Sequence, residues 1–154
     1  MEKYFISMKE ANMRFKNADH MVYVTFPLIN DPKILIVIAE NLYHALLNAI
    51  NALLDFEYYH KRLEYLPEKL NDKLITFRDT VSKTYGFSRD IAVIFEDLHK
   101  LIEFRQKSPI EFIRKSNYII ADNVYSTRMI SFQKIKEYVV TVKPFMQKVD
   151  KVIG

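Results

Sequence analysis

A chain of 154 residues is long enough for one domain with its own buried core, and a 49% hydrophobic content including 11 Phe and 10 Tyr supplies that core. The absence of Cys excludes a disulfide framework, thiolate chemistry and Cys-based zinc sites, while 2 Gly and 5 Pro leave no room for a linker or disordered tail. The net charge of +4 is uneven: residues 1–99 hold 12 Lys/Arg against 14 Asp/Glu, and residues 100–154 hold 11 against 5. That basic final third either meets phosphate or is a solvated Lys-rich surface.

The opening MEKYFISMKEANMRF is charged and amphipathic rather than continuously apolar, so no secretory signal is expected. The longest uninterrupted apolar run, Ile34–Ala39, is far short of a membrane span. The expectation is a soluble, cytoplasmic, single-domain protein over residues 1–154 with no membrane partner.

Periodicity predicts five helices. In the first, Tyr4, Met8, Ala11, Phe15, Ala18, Val22, Thr25 and Ile29 step by alternating four and three, a coiled-coil-like seam. Pro27 and the Asn30-Asp31-Pro32 turn end it, with Asp31 as N-cap and Pro32 as first residue of the second helix. The second helix runs to about Glu64. A third follows through Leu70, Leu74, Phe77, Val81 and Tyr85 and closes at Gly86. Ser88 caps a fourth, whose inner face is Ile91, Ile94, Phe95, Leu98, Leu101 and Ile102. The fifth starts at Ser131 and packs through Ile135, Val139, Val142, Met146, Val149 and Ile153, with a kink expected at Pro144. Between the fourth and fifth, Ser108-Pro109-Ile110-Glu111 has the form of a capping box opening one short helix. The stretch NYIIADNVYSTRMI then suggests a small hairpin around Ala121-Asp122-Asn123. The fold class is therefore an all-α, up-and-down bundle of about five helices, with a small irregular or hairpin-like insertion at 108–130.

The second helix carries the most informative pattern. At 100° per residue, Glu40, Asn41, His44, Asn48, Asn51 and Asp55 fall within an arc of about 100°, and the rest of the circumference is apolar. No Lys or Arg occurs between Ile34 and His60. One reading is a solvated face. Exposed helix faces, however, are normally filled with Lys, Glu, Arg and Gln, whereas three Asn cost helix propensity. The other reading is a partly buried contact, such as a second copy of the same helix, in which short amides satisfy hydrogen bonds.

For chemistry the yield is small. Glu40 and His44 have the i,i+4 spacing of a carboxylate–imidazole metal pair, and Asp19 and His20 could approach them. Bundle metal sites repeat E-x-x-H on facing helices, and this chain has no such repeat, so neither metal nor cofactor is expected. No G-x-S-x-G elbow or Gly-rich phosphate loop exists. Arg114, Lys115, Tyr118, Tyr125 and Arg128 mix cations with aromatic rings, as single-strand RNA readers do. The alternative is that the tyrosines pack the hairpin onto the bundle and the cations are solvated flanks.

The residues Ala18-Asp19-His20, the segment ENLYHALLNAINALLDFE and a final helix after a break resemble the HEPN superfamily of small helical bundles. The resemblance spans roughly the first sixty and last thirty residues. It implies an up-and-down bundle, often dimeric and often linked to RNA or nucleotide handling. Ribonuclease members carry R-x(4–6)-H late in the bundle. Here Arg14 and His20 have that spacing but lie in the first helix, so no catalytic residue carries over. The function expected is a non-catalytic binding module, a homodimer recognising RNA or a nucleotide-associated partner. A ribonuclease and a purely structural protein-contact subunit are the alternatives.

Overall fold

The computed structural model describes residues 2–108, 110–122, 124 and 126–154. It is mostly helical, with five helices and a small three-stranded antiparallel sheet. The second helix, Lys33–Tyr59, is the element against which the others pack. Sixteen of its residues are buried, including Leu35, Ile38, Leu42, Leu46, Ile50 and Leu53, each at most 1% exposed. It is long and apolar enough to cross a membrane, but most of that stretch is buried within the protein.

The first helix, residues 3–29, runs antiparallel to the second and buries Tyr4, Met8, Ala11, Phe15, Ala18 and Val22. Beyond Val22 the expected seam fails. Ile29 is 61% exposed, and Phe26 is buried at 8% in its place. The cause is a π-helical turn at Met21–Thr25, in which the Phe26 N–H donates to the Met21 carbonyl. One extra residue in the turn rotates everything after it by about 100°. Pro27 lies just downstream, where a regular α-turn would press its ring on the Tyr23 carbonyl. Asn30 then closes the helix with φ 55°; the second helix starts one residue later than expected, with Pro32 rather than Asp31 at the N-cap position, although the Asp31 carboxylate accepts from the Lys33 N–H at 3.0 Å.

The third helix, residues 70–85, repeats the device: a π-turn at Phe77–Val81 shifts the seam, so that Ser82 is buried and Tyr85 only half-buried. Gly86, at φ 67°, ends it. The fourth helix, Asp90–Gln106, starts where Ser88 Oγ accepts from the Asp90 N–H at 3.2 Å. The fifth, Phe132–Ile153, is capped by Ser131 Oγ, which accepts from the Lys134 N–H, and it contains Pro144. Its first turn stacks Phe132 on Phe26, and near its end Asp150 accepts from the Asn12 amide. The fifth helix is thus antiparallel to the first.

The short helix expected to open at the Ser108–Glu111 capping box does not form; from Ile110 the chain is a strand. β1 (Ile110–Arg114), β2 (Asn117–Ala121) and β3 (Thr127–Ile130) form an antiparallel meander in that order. Ser108 donates its hydroxyl to the Phe104 carbonyl and so closes the fourth helix rather than opening another. The apolar Ile110, Phe112 and Ile113 then suit an extended strand. Lys115 and Ser116, at φ 50° and 67°, make a two-residue type I′ turn. The hairpin expected around residues 121–123 is present between β2 and β3. There Asp122 Oδ1 accepts from the N–H groups of Val124 and Ser126. Tyr118, Ile120 and Ile130 share the inner face and join the main core.

Gly86 should be sensitive for a reason that is purely conformational. A Cβ there meets nothing within 4 Å, so Gly86→Ala pays only for the left-handed backbone. Urea unfolding should show a loss of about 1–2 kcal/mol with an unchanged m-value.

Candidate functional site

The polar row of the second helix is half-buried, and its neighbours divide it into three parts. Asn41 is 7% exposed and Asp55 9%, while Glu40, His44, Asn48 and Asn51 are partly covered. At one end, Glu40 leaves the row sideways to the fourth helix, where Arg105 bonds it at 2.8 Å. Arg105 also bonds Glu111 on β1 at 2.8 Å, and Glu111 accepts from the Tyr118 hydroxyl. This chain ties the second helix, the fourth helix and the sheet together.

In the middle, the amides turn inward. Asn41 donates to the Val37 carbonyl at 3.0 Å and accepts from Arg14 of the first helix at 3.4 Å. Asn48 donates to the His44 carbonyl at 2.8 Å. Such back-bonding to residue i−4 uses one of the two N–H donors of each amide.

At the other end, Asn51 and Asp55 reach two adjoining cavities at the base of the first and third helices. Burial raises the Asp55 pKa above the ordinary carboxylate range, and the nearby Lys3 and Lys73 ammonium groups pull it partly back.

Three clusters were not apparent in the sequence. Tyr43 and His99 Nδ1 lie 3.2 Å apart, and His99 Nε2 is 3.2 Å from Glu103 on the next turn. If the hydroxyl donates to Nδ1, the ring carries its proton on Nε2 and donates to Glu103. Burial raises the Tyr43 pKa, which keeps that hydroxyl protonated. Glu57, buried at 3%, accepts from both Arg62 and the Tyr85 hydroxyl, and so pins the end of the second helix to the third. Tyr138 donates to Asp97, and burial with that bond drives its pKa upward. The i,i+4 spacing of His99 and Glu103 was legible on one helix. Their partner Tyr43 lies 56 residues away.

The metal possibility gains nothing from the geometry. Among the described residues no three His, Cys, Asp or Glu side chains are grouped to hold an ion. Glu40 is committed to Arg105, and Asp19 Oδ1 is buried without a hydrogen-bond partner. Arg14 and His20 sit six apart in continuous α-helix, which points them about 120° away from each other. Arg14 is held by Glu10 at 3.1 Å and by Asn41.

The basic-aromatic segment divides as well. Tyr118 is 6% exposed and faces the core, so its ring packs the sheet onto the helices. Arg128 lies over the Phe104 ring, 5.8 Å from its centroid, and 3.9 Å from Asp97. Tyr125 lies outside the described residues. Arg114 and Lys115 are exposed at the β1–β2 turn and make no ion pair among the described residues.

Comparison with protein-family models, with curated proteins and with solved structures gives no match.

A buried carboxylate with a raised pKa favours the folded state when protonated. Its contribution is fully present below the ordinary value of 3.8 and is lost as pH rises through the higher folded-state pKa. Asp55→Asn should therefore leave the protein at least as stable at neutral pH, with the advantage over wild type vanishing in acid. Thermal melts across that range test this; a variant less stable at neutral pH would mean that Asp55 is paired.

Proposed function

We propose that the chain is a non-catalytic binding module that self-associates through the open side of its second helix and contacts RNA or a nucleotide-associated partner. The observation carrying this reading is the half-buried polar row on the second helix. Its central part, His44 and Asn48, lies between elements without any cation of its own. Val37 on the same row is 40% exposed. A mosaic of short polar groups and an isolated apolar side chain suits a two-fold contact better than a fully wetted face, where long charged side chains prevail.

Self-association is tested by light scattering. Wild type should be a dimer at micromolar concentration, and Asn48→Lys should shift it to monomer, because an unpaired charge in the centre of the contact costs about 3–5 kcal/mol. A monomeric wild type at high concentration would sink the reading.

For RNA, the exposed turn is the strongest contact available, and the ribose-phosphate chain is the chemistry that Arg114 and Lys115 fit. Replacing both by Ala should weaken binding of a short labelled RNA and flatten the dependence of log affinity on log salt by roughly 1–2 units. Arg128→Ala should instead act mainly on stability, through the Phe104 ring that it covers. Absence of saturable binding by wild type at low salt leaves protein contact as the function.

A further inference from the structure

Near the N-terminus of the first helix, the end of the second helix and the segment after it border an open cavity of about 750 Å³. A second cavity, of about 330 Å³, adjoins it towards the third helix. Asp55, Lys3 and Leu66 line both. The volume is in the range of small-molecule sites, which are concave, mostly apolar and carry a few fixed polar groups. Here the fixed group is Asp55, nine-tenths buried, opening onto both cavities and without a hydrogen-bond or ion-pair partner among the described residues.

Nothing in the packing explains that carboxylate. Glu57, two residues on and equally enclosed, is satisfied by Arg62 and Tyr85. Glu40, earlier on the same helix, is satisfied by Arg105. Asp55 alone of these three acids on the second helix faces empty space. Its carboxylate opens onto the cavities, and a cationic donor entering there would exchange water for a charge-assisted hydrogen bond.

The walls indicate what sort of donor. Tyr4, Tyr58 and Tyr59 line the larger cavity and offer aromatic surface, with Glu2 and Glu64 as further acidic groups. Lys3 and Lys61 border it and half-buried Lys73 borders the adjoining cavity; Lys3 and Lys73 act on Asp55 through space, but neither makes an ion pair or hydrogen bond with it among the described residues. An anion would meet a buried negative charge, and a bare metal ion would find too few ligands. An alkylammonium finds a carboxylate for its charge and aromatic faces for its body.

We propose that this cavity is a binding site for a small organic cation, with Asp55 receiving the ammonium group and Tyr58 and Tyr59 covering its hydrocarbon part. The site is independent of self-association through the middle of the second helix.

Isothermal titration of the full chain with butylammonium chloride, against sodium butyrate at matched ionic strength, tests it. Butylammonium should bind saturably, one per chain, with a dissociation constant on the order of millimolar for so few atoms, and butyrate should not bind. Asp55→Asn is nearly isosteric, and it should weaken butylammonium binding tenfold or more. Tyr58→Ala, at a side chain 48% exposed and so safe for folding, should weaken it several-fold. Equal heats for butylammonium and butyrate overturn the proposal. So does butylammonium affinity that survives both substitutions.

Discussion

The second helix gives up water around most of its circumference, and the other helices are arranged by the need to cover it. Burying a Leu or Ile side chain is worth roughly 1.5–3 kcal/mol, and this helix buries more than a dozen apolar residues. The first helix covers it along most of its length, the fourth and fifth cover further stripes, and the third closes one end. The same demand leaves the polar row as the one arc that no helix covers fully. Its acids and amides are then drawn to whichever neighbour lies nearest, Arg105 for Glu40 and Arg14 for Asn41. The row is therefore unevenly covered, with Asn41 and Asp55 buried and Glu40, His44, Asn48 and Asn51 half-buried.

Two π-turns adjust the covering helices to this central one. A regular helix keeps one seam, but the first and third helices must each change the face they bury part-way along. In the first, inward-facing residues pass from Val22 to Phe26, and Phe26 stacks on Phe132 at 4.4 Å between ring centroids. That stack joins the first helix to the start of the fifth. In the third, Phe77 and Val81 face the core before the turn shifts the register to Ser82, whose hydroxyl donates to the Phe87 carbonyl. Phe87 then meets Phe77 and Phe145. Each one-residue shift brings an aromatic cluster to a junction between helices.

The sheet is held by its inner face and by one buried-to-exposed relay. Glu111, on an otherwise open edge strand, is fastened by Arg105 and Tyr118. A three-stranded meander of this size is marginal by itself, and Tyr118, Ile120 and Ile130 join it to the main core. The outer face keeps Phe112 and Met129 at 41% and 63% exposure. The cations of this segment consequently serve two ends: Arg128 packs, and Arg114 with Lys115 face solvent.

Helix number and order, the Ser131 cap, the Gly86 stop and the inner faces of the fourth and fifth helices were all legible in the sequence. Each depends on residues within a few positions of one another, where propensity and periodicity act directly. The register shifts were not legible, because a π-turn is selected by what the next face must meet, although Pro27 marked the place of one. The strand at Ile110–Arg114 was misread as a helix start, since Ser108-x-x-Glu111 satisfies a local rule that pairing with β2 overrides. The polar row was visible as a row. Its division into a salt-bridge relay, a set of self-bonded amides and a carboxylate open to a cavity was not. Those fates are set by Arg14, Arg105 and the segment around Leu66, which lie far from the row along the chain and meet it only when the helices close together.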